Sequence, residues 1–279
     1  MMITPEQLKG RIRNISKEKG LSSQEVLQMY LFERVMDRLS KSEYRENFII
    51  KGGYLISSMI GIDERTTMDV DTTVTGITMS EDEIARISKE VLAIDVNDGI
   101  SFRFDKVEPI MEDAEYANFR VYFHAIFGKI NNPMKMDIST GDEITPAAVE
   151  HGFKSILDDS VISMRSYNLE TVIAEKYETI IRRNIGNTRA RDIYDLYTLT
   201  KLYDDSINYG ILKEAIIRTS RKRGSIEEMN DWENIYGDIV TEEALVNLWN
   251  NYRSEYSYAS DISFDEAISA VKYIAEKIM

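Results

Sequence analysis

The 279-residue sequence has no cysteine, only two histidines (His124 and His151) and four prolines. Without thiols there is no disulfide, no thiolate nucleophile and no zinc–sulfur site. Two histidines exclude multi-histidine metal centres and leave little room for a Ser-His-Asp triad, so carboxylates must carry most acid–base or metal chemistry. No apolar run approaches the ~20 residues that span a bilayer, and the opening MMITPEQLKGRIRN lacks the apolar core of a signal peptide. A cytoplasmic protein with no membrane partner is the expectation. Positive charge is also scarce: 34 Lys and Arg stand against 48 Asp and Glu, a net charge of −14. That argues against broad nonspecific binding to nucleic acid, which needs cations to displace counterions, but it leaves room for a local basic groove. Arg182, Arg183, Arg189 and Arg191 lie close in sequence, as do Arg218, Arg221, Lys222 and Arg223. Solvated faces are the plain alternative, above all for the second cluster.

The length suffices for one large domain or two, each with a proper core. Met1–Ser42 reads as helical: Thr4 and Pro5 open one segment that Gly20 stops, and a serine cap opens a second carrying Val26, Leu27, Tyr30, Leu31, Val35 and Leu39 at helical spacing. The period then changes. FIIKGG reads as a buried strand entering a glycine turn, YLISSMIG as a helix ended by Gly61, and TTMDVDTTV as an alternating strand. Ser80 and Glu83 have the spacing of a capping box for a helix to about Leu92. SFRFDKVEPI, NFRVYFHAIFG and MKMDIS read as three further strands. From Asn168 the pattern is helical again: Leu169, Val172, Ile173, Tyr177, Ile180 and Ile181 share a stripe, a second helix covers roughly ARDIYDLYTLTKLY, and AISAVKYIAEKIM closes the chain. The fold class expected is therefore α+β: N-terminal helices and a sheet over 1–165, and a helical domain over 166–279.

The chemistry concentrates in KGGYLISSMIGIDERTTMDVD, Lys51–Asp71. Side chains alternate along a strand, so Asp69, Asp71 and Thr73 fall on one face, while Met68, Val70 and Val74 are expected inward. Paired acids on a rigid strand suit Mg²⁺, which takes hard oxygen ligands and keeps substrate phosphates in its shell. In MKMDIS, Met134, Met136 and Ile138 would face the core and put Lys135, Asp137 and Ser139 opposite. If that strand neighbours the first, three acids converge, as two-metal phosphoryl transfer requires. Solvent-facing strand acids are the bland reading of a lone Asp-X-Asp; the upstream glycines and the third acid weigh against it. Gly52 and Gly53 would let backbone N–H groups approach phosphate at a helix N-terminus, with Tyr54, Ser57 and Ser58 in reach. Arg65 either orients the loop or a phosphate, or is a surface charge. Lys176 lies on an apolar stripe, where an unpaired ammonium is costly, so it must find a carboxylate, phosphate or water. Asp192 and Asp195, three apart on one helical face, are its candidate partners.

Taken in order, KGGYLISSMIG, RTTMDVD, KMDIS, AEKYETII and RARDIYDLY resemble the AbiEii/AbiGii toxin family of nucleotidyltransferases, in the DNA polymerase β-like superfamily, over about Phe48–Leu199. The resemblance implies that Lys51, Gly52, Gly53 and Arg65 serve triphosphate binding, that Asp69 and Asp71 hold divalent metal with Asp137 completing the set, and that Lys176 contacts the nucleotide. The aspartate of the last motif falls on Asp192, directly after Arg191, with Asp195 the open alternative. Superfamily members often carry Ser or Thr after the glycine pair; Tyr54 stands there in this chain, which alters the details of phosphate binding and leaves the metal site.

By the same resemblance, the expected function is a Mg²⁺- or Mn²⁺-dependent nucleotidyltransferase toxin of an abortive-infection or toxin–antitoxin phage-defence system. GTP or CTP is the candidate NTP, an RNA, above all the tRNA 3′ end, the acceptor, and a winged-helix repressor the cognate antitoxin. The alternatives are an enzyme that nucleotidylates protein, slightly favoured by the acidic charge, and a non-catalytic nucleotide-binding module.

Overall fold

The computed structural model describes residues 3–110 and 118–279. Met1 and Met2, the start of the expected helical stretch, lie outside the described residues. The chain divides into two compact units, Met1–Asp142 with Val149–Ser166, and Glu143–Ala148 with Tyr167–Met279. The short segment Glu143–Ala148 therefore belongs with the C-terminal helices.

In the first unit, α1 (Pro5–Lys19) starts at a reciprocal capping box between Thr4 and Gln7 and stops at Gly20 in the left-handed region. The second helix, α2 (Ser23–Ser40), repeats the device with Ser22 and Glu25. Then follow β1 (Phe48–Lys51), α3 (Gly52–Ile60), β2 (Val70–Val74), α4 (Glu81–Leu92), β3 (Ser101–Ile110), β4 (Asn118–Phe127), β5 (Ile130–Thr140), β6 (Val149–Lys154) and β7 (Val161–Ser166). The strands form one sheet in the order β3-β4-β5-β2-β1-β7-β6. Parallel pairing joins β2 to β5 and β1 to β7; the other neighbours are antiparallel.

One face of this sheet is the core. Val35 and Leu39 of α2 and Ile87 and Val91 of α4 meet Val121, Phe123 and Met136 of the strands. All are buried, and each such side chain contributes roughly 1.5–3 kcal/mol relative to exposure. The alternation read in MKMDIS is present: Met134, Met136 and Ile138 are buried, whereas Lys135, Asp137 and Ser139 are half-buried on the opposite side.

The structure corrects the reading at several points. The strand expected from Thr66 begins only at Val70, so Asp69 lies in a bend just before it, and Met68, expected inward, is 44% exposed. At α4, Ser80 accepts from the Glu83 N–H, but the Glu83 carboxylate turns to Arg86 at 2.7 and 2.9 Å instead of closing a capping box. The β6–β7 hairpin was not anticipated. Its strands are short, β6 is the sheet's edge, and VEHGFK carries too little apolar alternation to announce a strand.

The second unit is helical: α5 (Leu169–Arg183), α6 (Ala190–Tyr203), α7 (Tyr209–Arg223), α8 (Ile226–Asn230), α9 (Trp232–Thr241), α10 (Glu243–Glu255) and α11 (Phe264–Ile278). Val172, Ile173, Tyr177, Ile180 and Ile181 of α5 are buried as the stripe predicts. Trp249 of α10 is fully buried and donates its Nε1–H to the Ile262 carbonyl at 3.0 Å.

The β6–β7 turn is held to α2 by one buried acid. Glu33 accepts from the Ile156 N–H at 2.5 Å and from Ser155 Oγ at 3.1 Å. Burial pushes its carboxyl from 4.5 up to about 7, against the opposing pull of those hydrogen bonds and of Arg34. Between those two values the folded chain holds a proton that the unfolded chain has released, so stability falls as pH rises through the window. The full shift corresponds to at most about 3 kcal/mol. We expect Glu33→Gln to leave stability unchanged near the lower end and to raise it above wild type at pH 8, measured as thermal midpoints across pH.

Candidate active site

Strand pairing builds the site. Asp71 of β2 is in register with Asp137 of β5 on one side and with Lys51 of β1 on the other. Asp137 is in turn opposite Arg120 of β4. Paired residues point to the same face, so Arg120, Asp137, Asp71 and Lys51 form one row across four adjacent strands, with two acids flanked by two cations. Arg120 grips Asp137 with two hydrogen bonds, both 2.7 Å. Lys51 donates to Asp142 at 2.5 Å. Burial alone would raise the Asp142 carboxyl, but Lys51, Ser139 and Thr73 outweigh it and hold it down at about 2. Asp69, two residues before Asp71 in the bend that leads into β2, accepts from Thr67 Oγ1 at 2.8 Å and pairs with Lys135 at 3.3 Å.

Gly52 is required by two separate constraints. Its φ is +64°, and a Cβ there would stand 2.1 Å from Asp71 Oδ2. The backbone of the glycine turn thus lies directly against the Asp71 carboxylate, at the start of α3, whose N-cap Lys51 makes no side-chain cap hydrogen bond. At Gly53 a Cβ would meet Thr67 Oγ1 at 2.9 Å and Arg65 Nη2 at 3.0 Å. Arg65 is only 2% exposed and donates to the Thr66 carbonyl, while Ser57 donates to the Arg65 carbonyl. The buried arginine supports the loop, and the surface-charge alternative does not hold. Tyr54 is a core residue, stacked on Phe153 at 5.4 Å. Ser58 donates to the Leu55 carbonyl at 2.7 Å and is 2.9 Å from His151 Nε2.

Among the described residues no three carboxylate or imidazole groups stand close enough to enclose a metal ion by themselves. Mg²⁺ does not need such a cage, because one or two carboxylates suffice when substrate phosphates complete the shell. Asp69 and Asp71 supply that pair of hard oxygens, and the missing side chain at Gly52 leaves backbone beside them. The residues fit a divalent ion bound together with a nucleotide. Asp137 is beside this pair with both of its oxygens engaged by Arg120.

In the second unit, Lys176 of α5 lies 2.5 Å from Asp192 and 3.0 Å from Asp195, so both candidate partners on α6 hold it. Asp195 is fully buried and Asp192 nearly so. Two carboxylates on one ammonium give the triad no surplus positive charge. In the two arginine-rich stretches, Arg182 and Arg223 bind buried Glu178, Arg223 also binds Glu175, and Arg218 faces Glu143 and Glu214.

Arg120, Lys135 and Asp142 were not singled out from the sequence, although Lys135 had been placed on the acid-bearing face. Each acquires significance only from strand register, which sequence pattern alone does not show. Asp142 sits two residues beyond β5 and has no periodicity to mark it. For the glycine turn, we expect Gly52→Ala to cost about 1–2 kcal/mol from the left-handed backbone alone, with more from the Asp71 contact. Gly10→Ala, in open space on α1, should instead stabilise by about 0.5–1 kcal/mol. Denaturant unfolding of both variants checks the pair.

The family model described as nucleotidyl transferase AbiEii toxin, type IV toxin–antitoxin system, matches residues 34–270. No protein of curated function matches the sequence. Among solved structures, a provisionally assigned nucleotidyltransferase from H. pylori aligns with a TM-score of 0.51 at 19% identity, over 92% of this chain and 97% of that one. JHP933 from Helicobacter pylori gives 0.50 at 18% identity, over 92% and 94%. At these identities the structural likeness concerns the fold, a nucleotidyltransferase-like α+β architecture. No described helix is long and apolar enough to cross a membrane. The family match covers most of the chain, including the glycine turn, the Asp-X-Asp strand and the Lys176 triad: this protein belongs to the AbiEii family and is a nucleotidyltransferase of the toxin–antitoxin class.

Proposed function

We propose that the chain moves a nucleotide from an NTP to the 3′ end of an RNA, with tRNA the acceptor, using Mg²⁺ or Mn²⁺ bound at Asp69 and Asp71. The observation that carries the reading is Asp71 itself, in register between Asp137 and Lys51 with the Gly52 backbone against its carboxylate. In the reaction the acceptor's 3′-hydroxyl oxygen bonds to the α-phosphorus, the bond from that phosphorus to the bridging oxygen breaks, and pyrophosphate leaves. A divalent ion, when bound, supplies Lewis-acid stabilisation of phosphate charge. The Gly52–Gly53 turn at the α3 N-terminus favours the anionic triphosphate. Asp137, oriented by Arg120, accepts the hydroxyl proton or completes the ion's shell. The role proposed for Lys176, held by Asp192 and Asp195, is nucleotide binding.

Extension of tRNA ends would stop translation, which accounts for a toxin acting in the cytoplasm in phage defence. The partner that neutralises it would be the winged-helix antitoxin that the family resemblance implies. GTP and CTP are the donors to test first.

Purified protein incubated with each labelled NTP, Mg²⁺ and total cellular RNA provides the test, with products resolved on a denaturing gel. We expect label on tRNA-sized RNA from one NTP, reduced roughly 100-fold or more in Asp69→Asn and Asp71→Asn. Asp71→Asn should keep or raise the thermal midpoint, because it removes one of two directly opposed carboxylates. Label on protein bands would replace RNA by a protein acceptor. Full transfer by either Asn variant would overturn the metal-site assignment, and nucleotide binding without transfer to anything would leave only a binding module.

A further inference from the structure

The row that contains the acids continues along the open face of the β3-β4-β5 ribbon. The next row in register is Lys106, Tyr122 and Lys135, and the one after it Arg103, His124 and Pro133. On β4 the opposite face is the buried one, through Phe119, Val121, Phe123 and Ala125. Tyr122 and His124 are half-exposed, and Arg103 and Lys106 are exposed. Lys106 Nζ lies over the Tyr122 ring at 4.9 Å and bonds Glu108 at 2.6 Å; His124 Nδ1 is 2.8 Å from Asn131 Oδ1. Among the described residues, Glu108 is the one carboxylate of the β3-β4-β5 ribbon in register on this face besides Asp137. Asp105 sits at the bulge between Phe104 and Lys106, outside the register.

A sheet face with cations in successive rows and aromatic rings between them fits single-stranded RNA. There, phosphates pair with Lys and Arg while unstacked bases lie on aromatic and imidazole rings. Charge complementarity favours it too: on a chain of net charge −14 this face keeps the exposed cations Arg103 and Lys106. The ion pairs on this face are solvent-accessible, and such pairs exchange with phosphate at little cost. The face is also continuous with Asp69 and Asp71.

We propose that this face, through Arg103, Lys106, Tyr122, His124 and Lys135, binds the single-stranded acceptor end of the RNA and leads it to the acids. Arg103, Lys106 and Lys135 contact phosphates; Tyr122 and His124 stack on bases. The inference rests on the proposed RNA acceptor and adds where that RNA lies.

The test is anisotropy of a labelled single-stranded oligoribonucleotide, and of its duplex, titrated with the protein at several salt concentrations. Arg103→Ala/Lys106→Ala should weaken single-strand binding on the order of 10-fold and flatten the slope of log K against log salt by about 1.4, or ~0.7 per phosphate contact. Tyr122→Leu, which keeps apolar bulk, should weaken binding about 5-fold or more without changing the slope. Lys9→Ala/Arg13→Ala removes the same charge from the exposed side of α1 and should change neither. NTP affinity without RNA controls for folding. The proposal is overturned if the Arg103/Lys106 variant keeps the wild-type affinity and slope, if the α1 pair loses as much, or if the wild type does not prefer the single strand. Should the wild type label RNA while the Arg103/Lys106 variant keeps its KM for RNA, this inference falls and the proposed function stands. Should the wild type label no RNA yet bind the strand through these residues, the proposed function falls and the inference stands.

Discussion

The register that holds β2 between β1 and β5 is the constraint on which the rest of the site depends. It sets Asp71 against Asp137 on one side and Lys51 on the other, and because side chains alternate, a slip of one residue would send all of them to the core face. The buried alternation on the far side resists that slip: Ile50, Val70 and Ile138 would have to surface for the acids to turn inward. Core packing under α2 and α4 thus fixes chemistry on the opposite face. The glycine turn adds a second lock, since only a residue without Cβ can bring the start of α3 against the Asp71 carboxylate.

Placing two carboxylates side by side on neighbouring strands is unfavourable unless positive charge is close. The protein supplies it from the strands beyond, Arg120 for Asp137 and Lys135 for Asp69, while Lys51 is drawn to Asp142. In the proposed function the same half-buried cations would meet an anionic substrate, with a triphosphate or RNA phosphate taking over partners that the acids now hold. The helical unit follows another plan. Lys176 is held by Asp192 and Asp195, and Glu178 gathers Arg182, Arg223 and Ser225.

Much of this was legible in the sequence because it rests on local signals. Thr4 and Ser22 cap their helices as their spacing indicates, the Met134–Ile138 alternation marks a strand with Asp137 on its outer face, and the α5 stripe is buried as its period requires. What was not legible depends on pairing or on loop conformation. Asp69 matches the strand period yet lies in a bend where Thr67 orients it, which leaves Met68 exposed. Arg65 reads as a loop charge until burial shows that it supports the glycine turn. Arg120 and Asp142 look like ordinary strand and loop residues until register and fold bring them to Asp137 and Lys51. The β6–β7 hairpin escapes because its strands are short and the edge strand β6 carries little apolar alternation.

The central claim is that Asp71 anchors metal-dependent nucleotide binding in the first unit. Calorimetric titration of GTP and CTP into wild type and Asp71→Asn, each with Mg²⁺ and with EDTA, tests it most directly. One nucleotide is expected to bind the wild type in Mg²⁺, EDTA to weaken this binding by about 10-fold or more, and Asp71→Asn in Mg²⁺ to behave like wild type in EDTA. Equal affinity of wild type and variant, or binding indifferent to Mg²⁺, would contradict it.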